Sequence, residues 1–285
     1  MWVDYSFSYI ITVMELTHQA REAFLETLWA HYATSGRSAL PWRLSSVSGT
    51  FDPYSILVSE LMLQQTQVAR VIPKYQAFLG QFPTAHSLAA ADLGDVLRAW
   101  QGLGYNRRAK FLWQAAQAVE ALGNFPDTVE GLVRLPGVGV NTAGAIMAYA
   151  YNQPVVFVET NIRTVYIHHF FPSRTDVSDK EITALVQQTL DLENPREFYW
   201  ALMDYGSHLK ATVGNPNKAS KHYAKQSSFQ GSRRQVRGQI IRVLGAGNYT
   251  LGALQLAIPD DRTPAVLQEL LNEGLVRQTG DQYGL

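Results

Sequence analysis

The stretch LPGVGVNTAGAI, Leu135 to Ile146, decides the fold. A proline leads two glycines that bracket a valine, and a run of small apolar residues follows. Gly137 and Gly139 can take backbone angles closed to other residues, and they leave their N–H groups bare. At the start of a helix such amides suit a phosphate oxygen, because unsatisfied N–H groups and the helix dipole both favour an anion. TVEGLVRL, Thr128 to Leu135, carries helical apolar spacing upstream, and NTAGAIMAYA, Asn141 to Ala150, carries it downstream. PGVG is then a hairpin between two helices, a device that grips a DNA backbone without reading its bases. The competing reading is an ordinary helical turn whose glycines serve only close packing.

Outward from this hairpin the chain reads as all-α over most of its length. FDPYSILVSELMLQQTQVARVI, Phe51 to Ile72, opens with Asp52 as N-cap and Pro53 at the first helical position. It sets Ile56, Leu57, Glu60 and Leu61 on one face. HSLAAADLGDVLRAW, RRAKFLWQAAQAVEAL, DKEITALVQQTLDL and REFYWALMDYG repeat the spacing. The polar, turn-rich run from Gly214 to Ser232 reads as a basic linker. After it, RRQVRGQIIRVL, TLGALQLAI and TPAVLQELLNEG predict three short helices, and LVRQT and QYGL, split by Gly280-Asp281, predict a small hairpin. That is the order of a winged helix-turn-helix, a module that binds DNA or packs against protein. The predicted organisation is a flexible extension over 1–14, with Met14 as an alternative start, and a helical domain over 15–213. A linker over 214–232 and a winged-helix-like module over 233–285 complete it. Within the helical domain, one subdomain spans about 52–164, and a second is assembled from 15–51 and 165–213.

The chain has 285 residues, 46% of them hydrophobic, enough for a buried core. It contains no cysteine, which excludes disulfides, thiolate zinc sites and iron–sulfur ligation, so neither a metal nor a cluster is expected. The apolar stretch Tyr9 to Val13 is too short to span a bilayer, and the expected setting is the cytoplasm, at the nucleoid. Net charge is zero, yet no Asp or Glu occurs from Tyr205 to Pro259. That window carries Lys210, Lys218, Lys221, Lys225, Arg233, Arg234, Arg237 and Arg242. Such a stretch suits a polyanion, since each phosphate it neutralises releases counterions. A solvated basic face is the alternative.

Five ordered runs carry a resemblance: LPWR at Leu40, SELMLQQTQV at Ser59, GLGY at Gly102, LPGVGVNTAGAI at Leu135 and NIRTV at Asn161. Over roughly Ala39 to Gly206 the chain resembles the helix-hairpin-helix DNA glycosylases, and among them the MutY-type adenine glycosylases. The resemblance implies the two-subdomain helical fold of that family and a partner of double-stranded DNA holding a mispair or lesion, bound by a monomer. It implies flipping of the target nucleotide from the stack. Gln65, Thr66 and Leu103 would fill or border the gap, with Tyr105 and Asn106 near the opposite base. Trp42, Arg43 and Trp200 would line the base pocket. Gly137, Val138, Gly139 and Thr142 would hold phosphate, together with Lys218, Lys221, Lys225, Arg233, Arg234 and Arg237.

Two carboxylates carry the expected chemistry. Glu60 sits beside Leu57 and Leu61, and a carboxyl in apolar surroundings keeps its proton, which suits a general acid. In the family the matching glutamate protonates a purine ring nitrogen and turns the base into a leaving group. Glu159 follows an apolar run and precedes a helix whose expected cap is Thr160, so the helix N-terminus is expected to favour its ionised form. An anion there stabilises the cationic sugar. The family has an aspartate at this point, one methylene shorter. Asn161 and Asn141 are expected to support the site, and Asn141 stands where bifunctional relatives carry a Schiff-base lysine. The resemblance therefore implies a monofunctional enzyme that leaves an abasic site.

Other departures bear on the cofactor and the base. After the helix matching FYWALMDYGS, the family usually has four cluster-binding cysteines; here the run is HLKATVGNPNKASKHYAKQ, as in a clusterless branch. Trp200 stands where MutY-type enzymes offer Gln or Glu to adenine, and Asn106 replaces a tyrosine that contacts the opposing oxidised guanine. The short winged-helix candidate replaces the usual Nudix-like C-terminal domain. Three readings stay open: a monofunctional adenine glycosylase acting on mispairs, a glycosylase of the same mechanism for another purine, and a catalytically silent DNA-binding protein.

Overall fold

The computed structural model describes residues 14–46 and 49–285. The extension expected over 1–14 lies, except for Met14, outside the described residues. In chain order the helices are α1 (His18–Ser35), α2 (Pro53–Leu63), α3 (Val68–Gln81), α4 (Ala85–Ala89), α5 (Leu93–Ala99), α6 (Arg107–Leu122) and α7 (Val129–Leu132). They continue with α8 (Val140–Tyr149), α9 (Thr160–Phe170), α10 (Asp179–Thr189), α11 (Pro195–Thr212), α12 (Arg233–Leu244), α13 (Leu251–Ala257) and α14 (Thr263–Asn272). Three short strands, β1 (Tyr249–Thr250), β2 (Arg277–Thr279) and β3 (Gln282–Gly284), form an antiparallel sheet in the order β1–β3–β2. No helix among the described residues is long and apolar enough to cross a membrane.

Two compact units divide the chain. The first holds the described residues up to Arg37 with Pro154–Ala224, and the second holds Ser38–Gln153 with Lys225–Leu285. These limits differ from the sequence-based ones at three places. Residues 38–51 belong with the six-helix region, 154–164 with the other unit, and the linker is split at Ala224. The physical reasons are local. α9 packs along α11, and the 3-10 turn Pro216–Ala219 packs on α9. Val177 N donates to Ala219 O and Lys221 N to Val177 O, both at 2.9 Å, which ties the front of the linker to the segment before α10.

In the first unit, α1 starts at Thr17, whose hydroxyl accepts from Ala20 N, and buries Phe24 and Leu28. Phe24 meets Tyr166 and Phe170 with ring centroids 5.3 and 5.2 Å away. Phe157 stacks on Tyr199 at 4.1 Å, and Tyr199 donates its hydroxyl to Val155 O, which anchors the run leading to Glu159. Each such buried side chain contributes roughly 1.5–3 kcal/mol of transfer free energy.

α2 is the core of the second unit. Asp52 accepts from Tyr54 N and Ser55 N, and Pro53 opens the helix as expected. Tyr54, Ile56, Leu57, Val58, Ser59, Leu61 and Met62 are buried, because α2 packs against α3, α6 and α8. The segment expected as one helix from Phe51 to Ile72 is two. Gln65 takes φ +54°, in the left-handed region, and the chain turns there between α2 and α3. The C-terminal module has the expected helices and hairpin, with β1 as an added strand, and it is not separate. Lys110 Nζ on α6 donates to Glu273 O at 2.5 Å, and Arg277 pairs with Asp92 at 3.0 Å.

Candidate active site

In the second unit the expected site residues gather at two loops. Glu60 is half-buried on α2 between buried Ser59 and Leu61. One turn on, the α2–α3 loop exposes Gln65, and the α5–α6 loop exposes Tyr105. Tyr105 also has a left-handed backbone, φ +48°. Two strained non-glycine residues at adjacent loops need something to hold them. Arg108 does so. Its Nη1 donates to Leu61 O (2.5 Å), Met62 O (3.2 Å) and Gln64 O (2.5 Å), and its Nη2 to Thr66 Oγ1 (3.2 Å), Leu103 O (3.2 Å) and Gly104 O (3.1 Å). Burial pulls its pKa down to about 10. The side chain neutralises the carbonyl ends of two turns at once.

Sequence reasoning did not single out Arg108, although a signal was present. Arg108 shares the helical face of Leu112, Ala115, Ala116 and Val119, so a cation stood in an apolar stripe. Leu103 lies inside this pair of loops. It is 3% exposed and packs in the core, so the exposed side chains at these loops are Gln65 and Tyr105. Thr66 is half-buried, with its hydroxyl donating to Leu103 O at 3.4 Å. Asn106 is the N-cap residue of α6 and makes no side-chain cap bond. Trp42 is buried edge-on to Tyr75 at 5.6 Å, with buried Arg43 next to it.

At the hairpin, Gly137 has φ +77°, and a Cβ there would lie 2.5 Å from Phe111 Cβ. Gly139 differs from expectation: its φ is −87°, extended backbone open to any residue, and a Cβ there meets nothing within 4 Å. Nothing in the fold therefore demands Gly139. Gly139 is the N-cap of α8 and offers no side-chain cap, so the first amides of α8 keep their donors free for a ligand. Val138 is buried beneath the turn, Thr142 is half-buried, and Asn141 is exposed on the first turn of α8.

Glu159 lies in the first unit. It is itself the N-cap of α9, its Oε1 accepting from Asn161 N at 3.1 Å, whereas Thr160 was expected in that role. Burial of the carboxyl pushes its pKa above the ordinary carboxylate range; the Asn161 amide, Lys210 and Arg163 pull it down without cancelling the rise. The expectation that the helix N-terminus would dominate is thus reversed by desolvation. Lys210 Nζ donates to Asn161 Oδ1 at 2.6 Å. Arg163 forms a bidentate pair with Asp179 at 2.6 and 2.8 Å. Trp200 is buried on α11.

The basic residues divide by what they engage. Lys218 and Lys225 are exposed and have no ion pair among the described residues, and Lys221 lies 3.8 Å from Asp176. Arg233 pairs with Glu269, and Arg237 with Glu273 at 2.5 Å, so the expected phosphate contacts of these two are engaged inside the module. The spacing explains it: Arg233 and Arg237 on α12 face Glu269 and Glu273, also four apart, beyond the acid-free window. Arg234 instead donates to Tyr105 Oη at 2.7 Å and to Ser227 O at 2.7 Å. Gln226 donates to Gln65 Oε1 at 2.9 Å and also bonds Tyr105 Oη. The back of the linker thus lies over the two strained loops, which the sequence did not signal.

The model of the HhH-GPD superfamily base excision DNA repair proteins matches residues 58–190, from α2 through α10. An adenine DNA glycosylase of Mycobacterium tuberculosis is 36% identical, over 89% of this chain and 90% of that protein. The chain belongs to this superfamily. An adenine DNA glycosylase of Mus musculus is 37% identical over 78% of this chain and 44% of its own length. Among solved structures, a thermostable thymine-DNA glycosylase aligns with TM-score 0.58 and 24% identity over 68% of this chain and 88% of that one. A non-covalent endonuclease III–DNA complex aligns with TM-score 0.59 and 20% identity over 70% and 90%. These two likenesses establish the helical glycosylase fold. Adenine DNA glycosylases are therefore this chain's relatives across nearly its whole length.

Proposed function

We propose that the protein is a monofunctional adenine DNA glycosylase of base excision repair, hydrolysing the N-glycosidic bond of a flipped adenine opposite guanine or oxoguanine. The observation that carries this reading is the match to an adenine DNA glycosylase over nine tenths of both chains, with Glu60 standing inside SELMLQQTQV. Glu60 donates its proton to a purine ring nitrogen as the glycosidic electron pair moves onto the base. Glu159 supplies the negative charge opposite the sugar cation. Water then adds to the sugar carbon, and its proton passes to a carboxylate, so the products are free base and an abasic site.

Duplex DNA is the partner, bound by a monomer at the nucleoid, and the uncapped start of α8 with Gly139 supports a phosphate contact there. An exposed asparagine at position 141 offers no amine for a Schiff base, which supports hydrolysis over strand cleavage. The family's iron–sulfur cluster does not fit this chain, which has no cysteine, and among the described residues no group of three His, Asp or Glu could hold a metal. No step is routed through one. Buried Trp200 and the longer acid at 159 favour, as a second reading, the same mechanism on another damaged purine.

A panel of duplexes with single mispairs or lesions, assayed for abasic sites before and after alkali, tests both. The expected result is adenine release opposite guanine or oxoguanine, with strands broken only after alkali. Release of a different purine selects the second reading, and an inert protein overturns both. Glu60→Gln keeps the side chain's size but removes the proton source, and excision should fall about a hundredfold or more with duplex affinity unchanged.

A further inference from the structure

Lys210 belongs to the acid-free basic window, yet it does not face solvent as a phosphate contact would. It is half-buried near the C-terminal end of α11 and donates to Asn161 Oδ1 at 2.6 Å. The backbone N–H of the same asparagine donates to Glu159 Oε1 at 3.1 Å. One residue therefore links the ammonium to the carboxylate. The surroundings keep this link in place. α9 packs along α11, the turn Pro216–Ala219 packs on α9, and the Val177 bridge to Ala219 and Lys221 holds the chain that leaves α11.

Among the described residues, two cations act on Glu159. Lys210 approaches from α11, and Arg163 from one turn along α9. Arg163 is held by Asp179 of α10, whose other neighbour is His222 at 3.9 Å. Lys210 has no carboxylate within ion-pair distance among the described residues, so its positive field is not spent on a closer partner. In a desolvated setting that field matters more than it does in water. A glutamate with one methylene more than the family aspartate has an extra torsion to control, and the Lys210–Asn161 bond fixes the asparagine whose amide holds it.

We propose that Lys210 is a positioning residue for Glu159, acting through Asn161 to aim the carboxylate and supplying its counter-charge. This rests on the role given to Glu159 above. Burial lowers the Lys210 pKa and raises that of Glu159, and each opposes the other's shift, as expected of two desolvated groups that need one another charged.

The test compares Lys210→Met, Lys210→Gln and Lys210→Arg by single-turnover excision on an adenine–oxoguanine duplex across pH. Lys210→Met should lose about tenfold or more in rate at neutral pH, with duplex affinity unchanged, since a misplacement near 1 Å can cost about a hundredfold. Its acidic limb should move to higher pH, because Glu159 loses the charge that favours ionisation. Lys210→Arg should restore the limb, and Lys210→Gln, which keeps a donor without charge, should recover rate without the limb. Should Lys210→Met fail to fold, the Gln and Arg pair decides alone. Equal rates and limbs in parent and Lys210→Gln would overturn the proposal. If the parent excises nothing, the functional reading fails by itself, and carbon-13 titration of the Glu159 carboxyl, assigned with Glu159→Gln, still decides. A midpoint that rises in Lys210→Gln but not in Lys210→Arg supports the link, and an unmoved midpoint overturns it.

Discussion

Glu159 combines two roles that its sequence position kept apart. It caps α9 through Asn161 N, and it is the carboxylate proposed to face the sugar. Glutamate is not among the usual cap residues, so residue type pointed to Thr160 in its place. Its pKa is raised by burial, so the native state holds this proton more tightly than the unfolded chain does. The sign follows: stability from this group is present below the unfolded value and is lost as pH rises through the folded value. Above the unfolded value, the ionised form of this carboxylate therefore works against folding, while catalysis requires it ionised. Glu159→Gln should lower excision by about a hundredfold or more and raise the melting temperature at neutral pH. The gain in melting temperature should shrink as pH falls. Calorimetry across pH, alongside single-turnover rates, checks this. A Gln variant as fast as the parent would mean another group carries the anion.

At the scale of elements, the hairpin separates glycines the fold needs from one it does not. Gly137 requires a left-handed backbone and has Phe111 against it, whereas Gly139 has extended angles and open space. Gly137→Ala should lower the melting temperature and weaken DNA binding together. Gly139→Ala should leave the melting temperature unchanged and weaken duplex binding several-fold, because the added methyl stands where a phosphate approaches. Differential scanning fluorimetry with a duplex titration separates them, and unchanged affinity in Gly139→Ala would place the phosphate elsewhere. Much of this level was legible in the sequence. Asp52 with Pro53, the two hairpin helices, α6 and the terminal β-hairpin follow from caps, period and turn residues. The break at Gln65 was not, since no glycine or proline marks it; Arg108 supplies four hydrogen bonds that hold it, and those come from α6, far along the chain. Helical period likewise could not tell that Leu103 turns inward while Tyr105 stays exposed.

For the whole molecule, the acid-free window from Tyr205 to Pro259 suggested one continuous basic footprint, and the structure divides it by partner. Arg233 and Arg237 answer Glu269 and Glu273, Lys210 is drawn to Asn161, and Arg234 lies against Tyr105, with its guanidinium 5.8 Å from the ring. Lys218 and Lys225 remain exposed without ion pairs among the described residues. Only charge that is free before binding can release counterions on binding. Lys218→Ala and Lys225→Ala should each flatten the log–log salt dependence of duplex affinity by about one unit for a phosphate contact removed, with melting temperature unchanged. Arg233→Ala and Arg237→Ala should do the reverse, lowering the melting temperature while leaving the slope near the parent value. Truncation from Arg233 is a poorer probe, because it also strips Lys110 and Asp92 of partners that hold the module to α6 and the start of α5. It should destabilise the remaining chain as well as weaken binding, a combination the point variants can resolve. If Arg233→Ala and Arg237→Ala flatten the slope as much as the lysine variants do, the ion pairs across α12 and α14 open on DNA, and the module's helices meet phosphate after all.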